Sequence, residues 1–282
     1  MKKKKLLKEK ILQIENLSIA FSVGGEILPA VDSLSFSVSK GEILAIVGES
    51  GCGKTVLCLS FARLLPEPPA IYRSGSIVFP TGTSAGKNIL SMSGREIREI
   101  RRKKIAYVFQ EPSVSLNPVF RIYDQIAEVI CLRDDEADDV REEVISLLSK
   151  VGIPDPASKM KAYPHELSGG MQQRTMIAMA LAGKPELLVA DEPTTALDVT
   201  IQAQILELIK KIRDESGMAV IIVTHNLGIV SEIADNVMVM YAGHLVEKGT
   251  ASDLTKSPLH PYTKALISAV PQFGHEMEKM NT

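Results

Sequence analysis

The chain has 282 residues, of which 45% are hydrophobic and 23% charged, and its formal net charge is −2. This length can bury a sizeable core in one large α/β domain or in two smaller ones. The balanced charge excludes a general electrostatic attraction to nucleic acid, and the lack of a run of about 18 apolar residues excludes a membrane-spanning helix.

Two features of the sequence bear on the compartment in which the protein works. The apolar stretch after the first lysines is only the pair Leu6-Leu7, so we expect residues 1–10 to be a basic, solvated tail rather than a signal peptide. The three cysteines have no metal-ligand spacing, and their odd number argues against a disulfide framework. The cysteines therefore predict a reducing compartment, and the start of the chain predicts a protein that is soluble by itself.

The opening of the chain is predicted to be β-structure. Apolar and polar residues alternate loosely over 11–21 and again over 33–38, with Gly24-Gly25 as a turn between them. Phe21 is placed to stack on an adenine ring of a nucleotide bound further along the chain. A role as a core phenylalanine is equally favoured, because burial also selects an aromatic residue.

Residues 48–55, G-E-S-G-C-G-K-T, follow the phosphate-binding pattern G-x-x-x-x-G-K-T. The apolar run 43–47 predicts a buried strand before this loop, and 56–65, which has no proline or glycine, predicts a helix after it. The alternative interpretation is a glycine-rich turn with a surface lysine. Such a turn would not need a strand before it and a helix after it, so the flanking patterns favour a phosphate-binding loop. In this pattern backbone N–H groups surround phosphate oxygens, the lysine reaches the β- and γ-phosphates, and the hydroxyl holds Mg²⁺. The predicted nucleotide-binding residues are Gly48, Glu49, Ser50, Gly51, Cys52, Gly53, Lys54 and Thr55.

The middle of the chain changes from β-type to helical patterns. The apolar pieces 77–79 and 89–92 flank a turn-rich stretch and predict a hairpin, and 105–109 predicts a strand that ends at Gln110. A glutamine at a strand end can reach a metal-bound water. Residues 119–163 are predicted to be a helical insertion, because Val140, Val144, Leu147, Leu148 and Val151 form an amphipathic stripe.

Residues 167–174, L-S-G-G-M-Q-Q-R, predict the capped start of a second helix that could bind an anion. Ser168 stands directly before two glycines and a long helical run, as an N-cap serine does. A second anion site would duplicate the phosphate loop within one domain. We therefore infer that it serves a different nucleotide, in a partner subunit.

Two further buried strands are predicted to deliver polar groups to the same sheet edge. Residues 187–190 lead to Asp191 and Glu192, and 218–223 lead to Thr224 and His225. Asp191 is the expected Mg²⁺ ligand, Glu192 the residue that orients or deprotonates an attacking water, and His225 a γ-phosphate contact.

The remaining segments are simpler. Residues 201–212 have helical core spacing and stop at Gly217, 237–241 and 244–246 predict a hairpin around Ala242-Gly243, and 257–262, with two prolines, predicts a surface loop.

Together these segments resemble the ordered motif set of ATP-binding-cassette (ABC) transporter ATPases. Residues 48–55 correspond to the Walker A motif, Gln110 to the Q-loop, 167–174 to the signature, 187–192 to Walker B, Asp198 to the D-loop and His225 to the H-loop. The likeness covers nearly the whole chain, and its signature is specific because other P-loop classes lack it. The resemblance implies a P-loop α/β fold with a RecA-like parallel-sheet core, an N-terminal antiparallel β-subdomain and an inserted α-helical subdomain over about 111–168.

The resemblance also implies what the site binds. ATP and Mg²⁺ are the expected cofactors, and the chain is expected to work as a dimer in which two cassettes enclose two nucleotides. Ser168, Gly169 and Gly170 would close over ATP on the opposite subunit, and Asp198 would communicate across the interface. The expected catalytic residues are Gln110, Glu192 and His225, and the expected metal ligands are Thr55, Gln110 and Asp191.

Finer features resemble one branch of the family, the peptide and nickel importers. They are F-Q-E-P-S-V-S-L-N-P at 109–118, Y-P-H-E-L-S-G-G-M at 163–171, V-M-Y-A-G-H-L-V-E-K-G at 239–249 and H-P-Y-T-K-A-L at 260–266. This branch implies an ATPase domain over 11–257 and a short C-terminal extension over 258–282. It also implies two membrane permease subunits, an extracytoplasmic binding protein and a peripheral position on the cytoplasmic face of the membrane. Many relatives carry a cysteine-rich C-terminal segment for an iron–sulfur cluster, but no cysteine follows Cys131, so no cluster is predicted.

The leading hypothesis is an ATPase subunit of an oligopeptide or dipeptide importer, with a nickel importer ATPase as the alternative. A soluble cassette protein acting on ribosomes or DNA would need tandem cassettes or a long coiled-coil insertion, which this sequence lacks, so no nucleic-acid partner is expected. A kinase-like P-loop enzyme would have no use for the 167–174 motif. ATP-driven dimerisation would separate it from an ABC ATPase.

Overall fold

The computed structural model describes residues 9–81, 85–134, 139–195, 197–226, 228 and 232–268. Most of the predicted basic tail 1–10 and the end of the predicted extension 258–282 lie outside the described residues. Within them, the strands are β1 Lys10–Val23, β2 Glu26–Ser39, β3 Ile43–Val47, β4 Ala70–Val78, β5 Ile105–Val108, β6 Leu187–Asp191, β7 Ala219–Thr224, β8 Asn236–Tyr241 and β9 His244–Thr250. The α-helices are α1 Lys54–Ser60, α2 Gly94–Lys103, α3 Pro112–Ser115, α4 Ile122–Arg133, α5 Val140–Lys150, α6 Pro156–Lys159, α7 Gly169–Ala182, α8 Val199–Ser216, α9 Ala251–Lys256 and α10 Pro261–Ser268.

The strands form two sheets. β1 lies between β2 and β4 in a three-stranded antiparallel sheet, and the larger sheet has the order β5-β6-β7-β3-β8-β9. The first five strands in this order, β5, β6, β7, β3 and β8, are parallel, whereas β8 and β9 pair antiparallel. All residues of β3 and β7 are buried, as expected of parallel strands covered on both faces. The carboxyl ends of β5, β6, β7 and β3 therefore lie side by side at one edge.

The two faces of the large sheet pack into different hydrophobic clusters. Leu187 and Val189 of β6 join the cluster shared with the antiparallel sheet, while Leu188 and Ala190 join the cluster formed with the helical insertion. Alternation along one strand thus joins a β-subdomain and a helical subdomain to one parallel core. The predicted fold class is confirmed in each of these parts.

The helical insertion buries the predicted apolar stripe. Val144, Leu148 and Val151 are fully buried against α4 and α7, and Arg133 donates to both carboxylate oxygens of Glu143 at 2.8 and 2.9 Å. The same guanidinium donates to the carbonyl of Ala182. One arginine therefore ties the ends of three helices together.

The predicted helix over 56–65 ends early, at Ser60. Arg63 takes a left-handed conformation with φ 49°, its N–H bonds the Ser60 carbonyl, and the Leu64 N–H bonds the Leu59 carbonyl, both at 2.9 Å. This pattern closes a helix in the way a C-terminal glycine does. Because an arginine holds the glycine position, the sequence carried no stop signal.

The predicted hairpin over 77–79 and 89–92 is reduced to a single antiparallel bridge between Val78 and Asn88, and its second strand is wrong. β4 is longer than expected and pairs with β1, and Ile89–Ser91 form a 3-10 helix. The Asn88 side-chain oxygen accepts from the N–H groups of Ile77 and Leu90, each at 3.1 Å, so it holds the start of the 3-10 helix against β4. The predicted loop over 257–262 is also shorter than expected, because Pro261 opens α10.

Candidate active site

The phosphate loop connects β3 to α1 and is closed by two glycines that no other residue could replace. A Cβ at Gly48 would lie 2.3 Å from the Met240 carbonyl oxygen, and one at Gly53 would lie 2.4 Å from that of Ala30. Gly53 also has φ 101°, which favours glycine. Cys52 and Gly53 are buried, while Glu49, Ser50, Gly51 and Thr55 are exposed.

Lys54 is buried, with 5% of its surface exposed, and its ammonium lies inside the loop. Its Nζ donates to the carbonyl oxygens of Gly48 and Glu49, both at 2.7 Å, and lies 3.8 Å from Cys52 Sγ. A thiol is a weak hydrogen-bond acceptor. The ammonium N–H that faces Cys52 Sγ can therefore turn to a stronger acceptor, such as an anionic oxygen bound in the loop. The loop thus holds one positive charge among inward-facing backbone groups.

Asp191 and Glu192 lie next to this loop, at the end of β6. Burial raises the pKa of the Asp191 carboxyl above its ordinary value, against the opposing effect of a hydrogen bond from the Thr55 hydroxyl. That bond joins the first helical turn after the loop to the end of β6. Two of the three predicted metal ligands are therefore in direct contact.

Glu192 is held by groups from three other segments. Its backbone is left-handed, with φ 46°, and its N–H donates to the Val223 carbonyl at 2.9 Å. The Thr195 hydroxyl donates to Oε2 at 2.7 Å, Gln110 Nε2 lies 3.4 Å from the same oxygen, and His225 Nδ1 lies 3.3 Å from Oε1. Burial opposes ionisation, but the bonds from Thr195 and His225 outweigh it and lower the pKa of this carboxyl.

The three predicted catalytic residues thus meet at one carboxylate. Sequence reasoning missed Thr195, which follows the Walker B carboxylates in E-P-T-T and whose only signal was that short spacing. It also missed Tyr262 of α10, whose hydroxyl accepts the backbone N–H of Glu49 at 2.9 Å. Because 257–262 was predicted to be a surface loop, the sequence held no signal that Tyr262 would contact the phosphate loop.

The signature residues lie apart from this cluster. Ser168 caps α7 by accepting from the Met171 N–H at 3.4 Å, and Ser168 and Gly169 are exposed as predicted. Asp198 caps α8 by accepting from the Ile201 N–H at 2.9 Å. Within the described part of the chain, no hydrogen bond or ion pair joins residues 168–170 to residues 48–55.

Phe21 lies in β1, opposite Leu28 and Ala70. Its ring is half-buried and packs against the cluster that joins the two sheets. A part of it therefore remains open to solvent on the antiparallel subdomain, and both interpretations made from the sequence stay compatible with this placement.

Comparison with known families gives two matches along the chain. The family described as ABC transporter matches residues 31–195, more than half of the chain. The family described as oligopeptide/dipeptide transporter, C-terminal region, matches residues 246–282.

Among characterised relatives, the dipeptide transport ATP-binding protein DppD of Bacillus subtilis (strain 168) is 48% identical over 94% of this chain and 78% of DppD. The glutathione import ATP-binding protein GsiA of Escherichia coli O157:H7 is 48% identical over 94% of this chain, which spans only 42% of GsiA. The peptidoglycan transport ATP-binding protein YejF of Agrobacterium fabrum is 48% identical, and this chain spans 47% of it.

Solved structures give the same result. The dimeric post-hydrolysis state of the ATP-binding cassette MJ0796 bound to ADP and Pi matches with a TM-score of 0.75 and 25% identity, over 86% of this chain and 99% of that one. The cbiO1 protein of Clostridium perfringens, part of the ABC transporter complex cbiONQ, matches with a TM-score of 0.75 and 27% identity, over 89% and 92%.

The fold and the site define an ATPase of the ABC class. The chain belongs to the ABC transporter ATP-binding family, and its C-terminal region places it in the oligopeptide/dipeptide branch. Among the residues that the structure describes, no helix has both the length and the apolar character needed to cross a membrane.

Proposed function

We propose that this chain is the ATP-hydrolysing subunit of an ABC importer for oligopeptides or dipeptides. The ATPase part rests on one observation: the buried Lys54 loop and the Glu192 carboxylate cluster follow β3 and β6, two strands that β7 separates, at the same edge of one sheet. The peptide part is supported by the C-terminal family match and by the name of DppD. We keep the domain division 11–257 and 258–282 as part of this proposal; the C-terminal family match begins at residue 246, inside the first of these ranges.

Hydrolysis would proceed by attack of water on the γ-phosphate. As the water oxygen forms a bond to the γ-phosphorus, Glu192 takes a proton from that water. The bond between the γ-phosphorus and the bridging oxygen breaks, and ADP leaves with that oxygen. Hydrogen bonds to its charged form keep this carboxyl ionised and able to accept that proton. Lys54 places its positive charge against the phosphates, where negative charge accumulates in the transition state.

Three side chains would orient the base. Thr195 fixes one carboxylate oxygen of Glu192 and His225 the other, so rotation of the carboxylate is restricted. Gln110 reaches the same group from the end of β5 and is placed to contact the attacking water. Such positioning supplies much of the rate enhancement in phosphoryl transfer.

The residues at this edge fit Mg²⁺. Thr55, Asp191 and Gln110 offer hydroxyl, carboxylate and amide oxygens, the hard donors that Mg²⁺ prefers, and the first two are hydrogen-bonded to each other. Mg²⁺ usually keeps several waters and is bound by one or two protein groups together with substrate phosphates, which suits so small a set of ligands. When bound, Mg²⁺ neutralises the charge that develops on the phosphate oxygens.

A second cassette would complete the site. The exposed, capped start of α7, with Ser168, Gly169 and Gly170, points to an anion contact but has no bond to the chain's own phosphate loop. The dimeric state named for MJ0796 supports a partner that supplies these residues. Asp198 caps the neighbouring helix, so it would lie at the same interface.

A membrane permease subunit would dock beside Gln110. An apolar cavity of about 700 Å³ opens between α2, β5, α4 and α7, lined by Phe109, Val129, Leu132, Met176 and Met179 among others. The segment that follows Gln110 exposes Val114, Val119 and Phe120. Exposed apolar side chains around a cleft are typical of a protein interface. This interaction would hold the chain on the cytoplasmic face of the membrane, with an extracytoplasmic binding protein delivering the substrate.

The experiment is to purify the transporter by a tag on this chain and identify the associated membrane and binding proteins. The binding protein is then titrated with di-, tri- and pentapeptides, reduced glutathione and Ni²⁺. We expect tight binding of a peptide and stimulation of ATP hydrolysis by the loaded binding protein. Binding of Ni²⁺ alone, or no permease in the purified complex, would contradict peptide import.

A further inference from the structure

Tyr262, in the described part of the C-terminal extension, contacts the phosphate loop. The Tyr262 hydroxyl accepts the Glu49 N–H at 2.9 Å, while the Tyr262 ring lies 4.7 Å from that of Tyr241 at the end of β8. Tyr262 is half-buried, and burial raises the pKa of its hydroxyl, so the group is neutral at physiological pH and free to accept this bond.

The bonded N–H belongs to the same peptide unit that holds Lys54. A peptide bond is planar, so the N–H of Glu49 and the C=O of Gly48 are fixed relative to each other. Gly48 C=O accepts from Lys54 Nζ at 2.7 Å. Tyr262 therefore bonds one edge of this planar peptide, at the N–H, and Lys54 bonds the opposite edge, at the C=O. A rotation of the peptide would therefore break both bonds together.

The extension is anchored firmly enough to hold that tyrosine in place. The Glu247 carboxylate of β9 accepts from the backbone N–H groups of Leu259 and His260 at 2.8 and 3.0 Å. Tyr262, Leu266 and Ile267 pack against the cluster formed by β3, β8 and α9. The start of α10 is thus fixed to the sheet edge next to the loop.

We propose that Tyr262 is a positioning residue for ATP binding. It orients the Gly48–Glu49 peptide so that Lys54 is already placed inside the loop before nucleotide arrives. Preorganisation of this kind raises affinity because less ordering accompanies binding. The C-terminal extension thereby sets the nucleotide affinity of the cassette. The inference rests on the phosphate-binding role proposed above for Lys54.

The test compares Tyr262→Phe with Tyr241→Phe. The first removes the acceptor and keeps the ring, and the second removes a hydroxyl that makes no hydrogen bond within the described residues. For Tyr262→Phe we expect the KM for ATP to rise about three- to tenfold, the effect of one lost hydrogen bond, with kcat within about twofold of the parent. Tyr241→Phe should match the parent in both constants.

A direct readout is the exchange rate of the Glu49 amide proton in protein labelled with ¹⁵N-glutamate, assigned by the signal lost in Glu49→Gln. This proton should exchange faster in Tyr262→Phe at an unchanged melting temperature. Equal KM values in the two tyrosine variants, a fall in kcat alone, or a KM change matched by a lower melting temperature would each overturn the proposal.

A third variant separates this inference from the proposed function. Lys54→Ala should weaken binding of the non-hydrolysable ATP analogue AMP-PNP by calorimetry. If it does so while Tyr262→Phe binds like the parent, the positioning role alone fails. If Lys54→Ala binds normally, the role of the loop itself is wrong.

Discussion

Glu192 combines an unusual backbone with a crowded side chain. A left-handed glutamate costs free energy relative to an ordinary conformation, and such residues concentrate where function requires a fixed geometry. The N–H bond to Val223 and the side-chain bond to Thr195 hold this conformation. The residue is therefore oriented from both its backbone and its side chain.

Glu192→Gln should leave ATP binding nearly unchanged, because the amide keeps the size of the side chain and an oxygen for Thr195. An amide cannot accept the water proton, so hydrolysis should fall at least about 100-fold, roughly 3 kcal/mol of transition-state stabilisation. The rate of phosphate release measures the loss of hydrolysis. Gel filtration in the presence of ATP detects the trapped ATP-bound dimer. Glu207→Gln, at an exposed position of α8, serves as the control, and near-parental turnover of Glu192→Gln would show that another group is the base.

At the scale of elements, a helix cap at Asp198 and an ion pair at Glu143 stabilise the helices, and both can be tested by substitution. Asp198 is the N-cap of α8, and its side chain satisfies one of the free N–H groups of the first turn.

Asp198→Ala should lower the free energy of unfolding by about 1 kcal/mol, since alanine cannot cap a helix. Asp198→Asn removes the charge but caps equally well, and it should retain parental stability. Urea unfolding followed by circular dichroism checks both variants. Equal losses in the two would mean that the charge, rather than the cap, stabilises the helix.

Glu143 should make the stability of the helical insertion depend on pH. The hydrogen bond from Arg133 lowers the pKa of this carboxyl in the folded state, with a smaller contribution from Lys184. Its stabilisation is therefore present above the unfolded pKa, about 4.3, and is lost as pH falls through the lower folded value. Glu143→Gln should cost about 1–2 kcal/mol at pH 7 and converge with the parent in acid. Glu142→Gln, at an exposed neighbouring position, should change neither the stability at pH 7 nor its dependence on pH. If the free energy of unfolding of Glu143→Gln followed pH in parallel with the parent, Glu143 would not be the group responsible.

The sequence predictions fell short at element ends and in the short segment 89–92, which was predicted as a strand and forms a 3-10 helix. Buried strands and the stripe of α5 have strong periodic signals, so their positions were predictable. Arg63 ends a helix in a conformation usually taken by glycine, and the Asn88 side chain accepts the backbone N–H of Ile77, eleven residues away. Thr195 and Tyr262 join the site through contacts between distant segments. Local patterns do not carry such information.

At the scale of the whole molecule, the separation of residues 168–170 from the phosphate loop predicts sites shared between subunits. Each chain would contribute Lys54 to one site and Ser168 to the other.

Lys54→Ala and Ser168→Arg should each abolish ATP hydrolysis by the isolated chain. Mixed dimers of the two would contain one intact site, because each variant supplies the residue that the other lacks. An equal mixture should recover about a quarter of parental turnover, since half of the dimers are mixed and each has one working site. An inactive mixture alongside an active parent would rule out sites shared in this way.

The pairing of β3 has a consequence for how the protein is made. Both neighbours of this strand come late in the chain, since Ile43 lies opposite Val220 and Leu44 opposite Asn236. A growing chain on the ribosome therefore carries β3 with two unpaired edges until β7 and β8 have emerged. Such long-range pairing folds slowly and leaves strand edges open to wrong partners. Truncation before residue 219 should consequently yield aggregation rather than a smaller nucleotide-binding domain.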